Sequence, residues 1–369
     1  MKKISTLLLC TLLFITGCVQ NSNEEEVLQN DEDIAEPETS IVPSYQLSDE
    51  NYRMILPYKT SEARGVIVNQ MANRIDIDEM EEGLRRLSKE VYDPEELYFQ
   101  EGQYLDSSTI FTWIDELNPV LNEDANIETH RDNPRYLSHI LEQNYMKHNE
   151  DQSVELAGIS LGIAMKSVYR FTAEGVGPFY EDIPKEEMLS EGNKIAQAIV
   201  QQIREMEGLT EVPIMIALYQ EEEQASPVPG NFVAKVNVPG GSSSVDGWES
   251  INEENILFPS DEGREKYYDD HEIVSSFGTE ISQFFPNYVG LIGEGFYIDE
   301  ELQKLTIEVP IEFYGKAEVL GFTQYAYGLV QEMFPNYYDL EINITSSQKM
   351  ESLIYRDGGD ETPTVHIFD

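Results

Sequence analysis

The sequence predicts an α+β protein of mainly antiparallel sheets packed with helices, with duplicated helix-strand modules in the C-terminal part. Three observations carry this. Over 185–207, Met188, Ile195, Ile199, Ile203 and Met206 recur at helical spacing, and after Gly208 the run Val212-Pro213-Ile214-Met215-Ile216-Ala217-Leu218-Tyr219 has strand character. Over 305–313, Leu305, Ile307, Val309, Ile311 and Phe313 alternate with polar residues or proline, the period of a half-buried strand. The tetrapeptide Phe-Pro-Asn-Tyr occurs at 285–288 and again at 334–337, each time between a helical and an extended pattern.

The chain begins with Lys2 and Lys3, an apolar stretch over 7–15, and the small pair Thr16-Gly17 before Cys18. Charge, apolar core and small-residue exit are the parts of a bacterial export signal. Its core is shorter than the roughly 20 apolar residues a membrane span needs, so removal is expected. Residues 19–47 follow with Glu24, Glu25, Glu26, Asp31, Glu32, Asp33, Glu36 and Glu38 and no Lys or Arg. Such one-signed, weakly apolar composition predicts a disordered, extended tether.

The folded region opens on the block from Tyr52 to Gly65, where Arg53, Lys59 and Arg64 fall close together in a chain poor in cations. These three are the candidate binding residues, although ion pairing with neighbouring carboxylates is the commoner use of such a cluster. Asp78 reads as a helix cap with Glu81 three residues on, and Met80, Leu84 and Leu87 form the buried stripe. Strands are expected over 156–168 and 232–238, and the Pro-Gly-Gly-Ser-Ser-Ser stretch at 239–244 breaks the second. It lacks the Lys-Ser or Lys-Thr of a phosphate loop and the flanking glycines of a nucleophile turn, so it reads as a surface loop. Ile273, Phe277, Ile281 and Phe284 mark one late helix; Phe322, Tyr325, Leu329, Val330 and Met333 mark another. Pro310 places the 305–313 strand at a sheet edge or on a bulge. The division expected is a leader over 1–17, the tether over 18–47, an N-terminal ectodomain region over 48–155, and α+β modules over 156–258 and 259–369.

Composition narrows the function. The net charge of −46 becomes two units more negative once Lys2 and Lys3 are removed, which excludes nucleic acid as a partner because phosphate binding wants Lys and Arg. The two cysteines are Cys10, inside the leader, and Cys18, so no disulfide is expected within the ectodomain. His130, His139 and His148 lie nine apart, outside zinc-ligand spacings, and no metal or cofactor is expected. Nothing nominates a catalytic residue. The expectation is a non-catalytic binding module, with a shallow surface crossed by Arg53, Lys59 and Arg64. The alternative is a secreted cell-envelope hydrolase using a carboxylate pair, which requires a deep cleft with two facing carboxylates, one of them in apolar surroundings.

Two resemblances sharpen the expectation. Ile15-Thr16-Gly17-Cys18 resembles the lipobox of bacterial lipoproteins. That implies signal peptidase II and the prolipoprotein acyl-transfer machinery as partners, a diacylglyceryl (palmitate-type) anchor on Cys18, and a location on the extracellular face of the cell membrane. The lipobox, the acidic tether, the 52–65 block, Asn73-Arg74-Ile75-Asp76-Ile77-Asp78 and Tyr98-Phe99-Gln100-Glu101-Gly102-Gln103-Tyr104 together resemble the CamS family of sex pheromone precursor lipoproteins of Firmicutes. The resemblance implies a second product, a short apolar mating pheromone trimmed from the released leader, here within 11–17. The ligand of the ectodomain, from the envelope or a host, is left open by it.

Overall fold

The computed structural model describes residues 26–30, 39–42, 51–122, 124–149, 153–313, 315–347 and 349–369. The leader expected over 1–17, including Ile15, Thr16 and Gly17, and Cys18, expected to carry the lipid, lie outside them. Within the described residues the chain builds two sheets and a separate hairpin, and the fold is α+β with mostly antiparallel pairing.

The tether region holds two short strands, β1 (Glu26–Asn30) and β2 (Thr39–Val42), paired antiparallel, with β1 running parallel to the start of β6 (Ser153–Met165). The expectation of a structureless segment over 18–47 is corrected at these two strands: Val27 falls inside the acidic run, and Thr39, Ile41 and Val42 follow its last acid, Glu38, with residues of higher strand propensity.

The first sheet has the order β11-β10-β9-β6-β5-β4-β3. Its members are β3 (Arg53–Met54), β4 (Leu97–Glu101), β5 (Leu137–His148), β6, β9 (Ile214–Gln220), β10 (Asn231–Val238) and β11 (Glu249–Ser250). The hairpin β7 (Val168–Ala173) and β8 (Val176–Asp182) stands apart from it, and Tyr169, Phe171 and Ala173 pack into the core beside the sheet. Helices α1 (Val66–Gln70), α2 (Ile75–Ser88), α3 (Ser107–Glu116), α4 (Ile127–Asp132) and α5 (Lys185–Glu205) surround the sheet. In β9, Ile214, Ile216 and Leu218 join the core under α5, while Met215, Ala217 and Tyr219 join Met80, Leu84 and Leu87 of α2 on the opposite face. Both faces are therefore covered, and β9 is apolar throughout. The helix expected from Asp78 starts at Ile75, and Asp78 lies in its first turn. Asn73 accepts the Ile75 amide at 3.2 Å, so the chain turns into the helix earlier than the acidic cluster suggests.

The second sheet, β12-β13-β14-β15-β16-β17, comprises β12 (Glu253–Phe258), β13 (Ile292–Ile298), β14 (Glu301–Pro310), β15 (Asp339–Thr345), β16 (Met350–Arg356) and β17 (Thr364–Ile367). Helices α6 (Asp261–Lys266), α7 (Tyr268–Phe284) and α8 (Lys316–Met333) accompany it, and Phe277, Ile281, Phe322 and Val330 pack on Leu305, Ile307, Ile342 and Ile344. β14 is an interior strand, which corrects the edge placement drawn from Pro310. Pro310 is its last residue and lies beyond the β13 ladder, which ends at Ile292↔Glu308, so no hydrogen bond across to β13 is lost. Both Phe-Pro-Asn-Tyr segments stop helices: Phe285 and Phe334 are the C-cap residues of α7 and α8, each extended as the residue before proline must be.

The two sheets share one plan. With α4, α6 and the β7-β8 hairpin set aside as insertions, strand, helix, two antiparallel strands, crossover helix and three further strands run as β4-α3-β5-β6-α5-β9-β10-β11 in the first and β12-α7-β13-β14-α8-β15-β16-β17 in the second. In each, the crossover helix joins the parallel pair, β6 with β9 and β14 with β15. The seam between them falls between Ser250 and Glu253, and the 155/156 position lies within the paired hairpin β5-β6. The two Phe-Pro-Asn-Tyr stops end α7 and α8, at non-equivalent places in this plan.

Candidate functional site

The site begins where β4 ends. The β4-β5 ladder stops at Glu101↔Gln143, so the 137–142 stretch of β5 continues without a strand neighbour on that side among the described residues. Gly102 turns the chain away at this point. A Cβ on Gly102 would stand 2.6 Å from the Glu142 Cβ and 2.8 Å from its carbonyl oxygen, so only glycine allows the backbones to pass. The next three amides are gathered by one side chain. The Glu142 carboxylate accepts Gln103 N–H at 3.1 Å, Tyr104 N–H at 3.1 Å and Leu105 N–H at 2.7 Å. Burial pushes the Glu142 carboxyl up, and the amides pull it back down.

The gap beside 137–142 is roofed by the 58–67 segment and bordered by α2 and α3, leaving a cavity of about 260 Å³. Its apolar wall includes Ile67, Phe99, Leu105, Ile110, Ile140 and Leu141. Its charged groups are Arg64, Glu81, Arg85, Glu101 and Glu142. Glu101 accepts the Ser61 amide at 2.7 Å and the Tyr58 hydroxyl, which ties the roof to β4. Arg64 lies 3.7 Å from Glu101 and donates to the Tyr58 hydroxyl at 3.5 Å. Burial, then the charges of Glu101 and Asp78, push the Glu81 carboxyl up, while Arg64 and Arg85 draw it down. Arg85 stands 5.8 Å from the Phe99 ring centre. His139 also lines the cavity: it is 2% exposed, and its Nδ1 has no hydrogen-bond partner among the described residues. Burial holds its pKa down at about 3, so the ring is neutral.

The three cations singled out in the sequence are dispersed. Arg64 reaches the cavity, whereas Arg53 lies over the Tyr98 ring at 4.5 Å and donates to the Glu95 carbonyl at 3.0 Å. Lys59 is half-buried and does not line the cavity. A partly open cavity reached by Arg64 alone of the three thus takes the place of a shallow surface crossed by all of them. Sequence reasoning did not find His139, Glu142 or Gly102. The available signal was a set of polar residues, His139, Glu142, Gln143 and Asn144, inside a stretch otherwise rich in Leu, Ile, Tyr and Met.

Among the described residues no group of His, Cys, Asp or Glu is arranged to hold a metal ion, and no helix is long and apolar enough to cross a membrane. The arrangement is that of an α+β protein with a small mixed apolar and charged cavity. Residues 58–362 match the model of the family described as CamS sex pheromone cAM373 precursor, and the chain belongs to that family. A sex pheromone precursor from Lactobacillus salivarius subsp. salivarius UCC118 is similar in structure, with TM-score 0.82 and 28% identity, covering 89% of this chain and 99% of that one. The C-terminal domain of the sex pheromone staph-cAM373 precursor from Staphylococcus aureus is also similar, with TM-score 0.71 and 28% identity over 81% of this chain and 98% of that one. No curated protein matches the chain.

Proposed function

We propose that the chain is a lipid-anchored surface precursor with two products: a leader that yields an apolar pheromone peptide from within 11–17, and a non-catalytic ectodomain that binds a ligand through the cavity beside β5. Membership of the pheromone precursor family supports the first half, together with the run Ile15-Thr16-Gly17-Cys18. In this reading signal peptidase II cuts before Cys18, and the acyl-transfer machinery fixes the chain to the outer face of the cell membrane. Two acyl chains give the stable anchoring that one does not.

The observation that carries the binding role is the cavity itself, a pre-formed apolar hollow with a few placed polar groups. It also bears on the hydrolase reading, because three glutamates line it. The one in the most buried setting, Glu142, has its carboxylate taken by three backbone amides and is positioned as a structural brace. A catalytic pair would have to be Glu81 and Glu101, and Glu101 is itself engaged by Tyr58 and Ser61.

Metabolic labelling with a palmitate analogue tests the anchor: the wild type takes up label, and Cys18→Ala does not. Undiminished label in that variant would refute the anchor. A synthetic peptide spanning 11–17 is expected to induce plasmid transfer from a responsive donor strain, and a silent peptide would remove the pheromone half. Photocrosslinking from a probe residue at Tyr58 on living cells should capture a ligand that competes for the cavity. Turnover of cell-wall glycans that disappears in Glu81→Gln would instead establish the hydrolase.

A further inference from the structure

The charges around the cavity are balanced and carried on separate elements. Glu81 and Arg85 sit one turn apart on α2, Glu101 ends β4, and Arg64 lies in the roof segment. Glu142 is set aside from this balance because its oxygens already accept three amides. Two carboxylates and two guanidiniums therefore surround an apolar hollow. A simple anion would meet Glu81 and Glu101, and a simple cation would meet Arg64 and Arg85. A molecule carrying both signs on one end and a hydrocarbon body on the other would satisfy each group.

Size and polarity set further bounds. A volume of about 260 Å³ falls just under the roughly 300–1,000 Å³ of pockets that enclose drug-sized ligands. It accommodates one or two small residues. The wall of Ile67, Phe99, Leu105, Ile110, Ile140 and Leu141 suits an aliphatic or aromatic body. The guanidiniums offer the planar fork that receives a carboxylate. Among the described residues the Arg64 guanidinium makes long contacts, 3.7 Å to Glu101 and 3.5 Å to the Tyr58 hydroxyl, so an incoming carboxylate can compete for it. The neutral His139 ring contributes one unpartnered buried nitrogen, a group that gains from any hydrogen bond the ligand supplies.

We propose that the cavity binds a small zwitterion with an apolar body, a free aliphatic or aromatic amino acid or a dipeptide of such residues, its ammonium toward Glu81 and Glu101 and its carboxylate toward Arg64 and Arg85. This rests on the reading of the ectodomain as a binding module and names the class of its ligand.

The test is calorimetric titration of the mature protein, purified from cells in detergent micelles, with L-leucine, L-phenylalanine and Leu-Leu, and then with their N-acetyl and amide derivatives. Binding below millimolar Kd is expected for at least one zwitterion, weakened tenfold or more by blocking either end. Arg64→Gln and, separately, Arg85→Gln should weaken the zwitterion tenfold while leaving its amide derivative unchanged. The imidazole NMR signals of His139, assigned by their absence in His139→Gln, should move on saturation. Equal binding of zwitterion and doubly blocked derivative, with the same His139 response, would overturn the ligand class and spare the binding role. No His139 response to either would overturn both.

Discussion

The Glu142 carboxylate accepts the Leu105 amide proton at 2.7 Å, across a separation of 37 residues. With Gln103 and Tyr104 on the same carboxylate, this one side chain replaces the strand that β4 would otherwise have continued. Glu142→Gln keeps one accepting oxygen and replaces the other by an NH2 that can only donate, set against backbone donors. The expected loss is about 1–3 kcal/mol per stranded group, read as a lower urea midpoint at constant m. An unchanged midpoint would show that the three amides find other acceptors.

Gly102 should tolerate no side chain. The Cβ of Gly102→Ala would stand 2.6 Å from that of Glu142, so the turn or the strand must move. Overpacking of this kind costs about 1–3 kcal/mol. The loss should be accompanied by a shift of the His139 imidazole signals, because the displaced Glu142 lines the same cavity as His139.

Asp76 gives the fold a pH dependence of definite sign. Its side chain is fully buried, and it accepts the Tyr219 hydroxyl at 2.9 Å and the Gly230 amide at 2.6 Å. Burial raises its pKa from 3.8 to about 6 against the pull of those bonds. The folded state therefore holds the proton more tightly than the unfolded chain, and this group's contribution is greatest below pH 4 and is lost as pH rises through 6. The loss is on the order of 3 kcal/mol. His139 acts oppositely, since a ring kept neutral to about pH 3 costs stability as pH falls below its ordinary 6.5. Asp76→Asn should flatten the first trend and expose the second, so that stability falls more steeply on acidification from pH 6.5 than in the wild type.

Arg86 links the two sheets. It lies 2.9 Å from Glu79 on its own helix and 3.1 Å from Glu253, the first residue of β12, with its guanidinium 4.4 Å from the Phe296 ring centre. The Glu253 side chain is 1% exposed. Arg86→Met would leave the buried Glu253 carboxyl and the half-buried Glu79 carboxyl without this cation, a loss of about 3–5 kcal/mol. Limited proteolysis should then cut near 250–252, at the seam. Restoring the cluster's original net charge with Arg86→Met and Glu253→Gln together should recover part of the loss; failure to do so would show that Arg86 acts by packing on Phe296.

Much of the fold was legible where burial is uniform. The α5 stripe, the continuous apolar β9 and the alternation along β14 each announce a face that meets a core. The edge half of the Pro310 reading failed because strand position was judged from residue type alone, whereas the end of the neighbouring ladder decides whether a missing N–H matters; β14 does carry a register irregularity, at Gln303 and not at Pro310. β5 was not read as a strand at all. His139, Glu142, Gln143 and Asn144 are buried within it, and their polarity erases the period that reveals a strand. Three of them, His139, Glu142 and Gln143, line the cavity, so the signal that marks the site is what obscured the element that carries it. Arg64 was legible as a cation in a cation-poor chain; its separation from Arg53 and Lys59 depends on Tyr58, Ser61 and Glu101, which meet only in the folded protein.

The account places one chain in two roles, and both depend on cleavage and acylation at a single position. Mass spectrometry of the N-terminal peptide of the protein extracted from cells measures this directly. The account predicts a peptide that begins at Cys18 and carries the mass of a diacylglyceryl thioether, found in the membrane fraction. A chain that begins elsewhere, or begins at Cys18 with a free thiol in the culture medium, would contradict it.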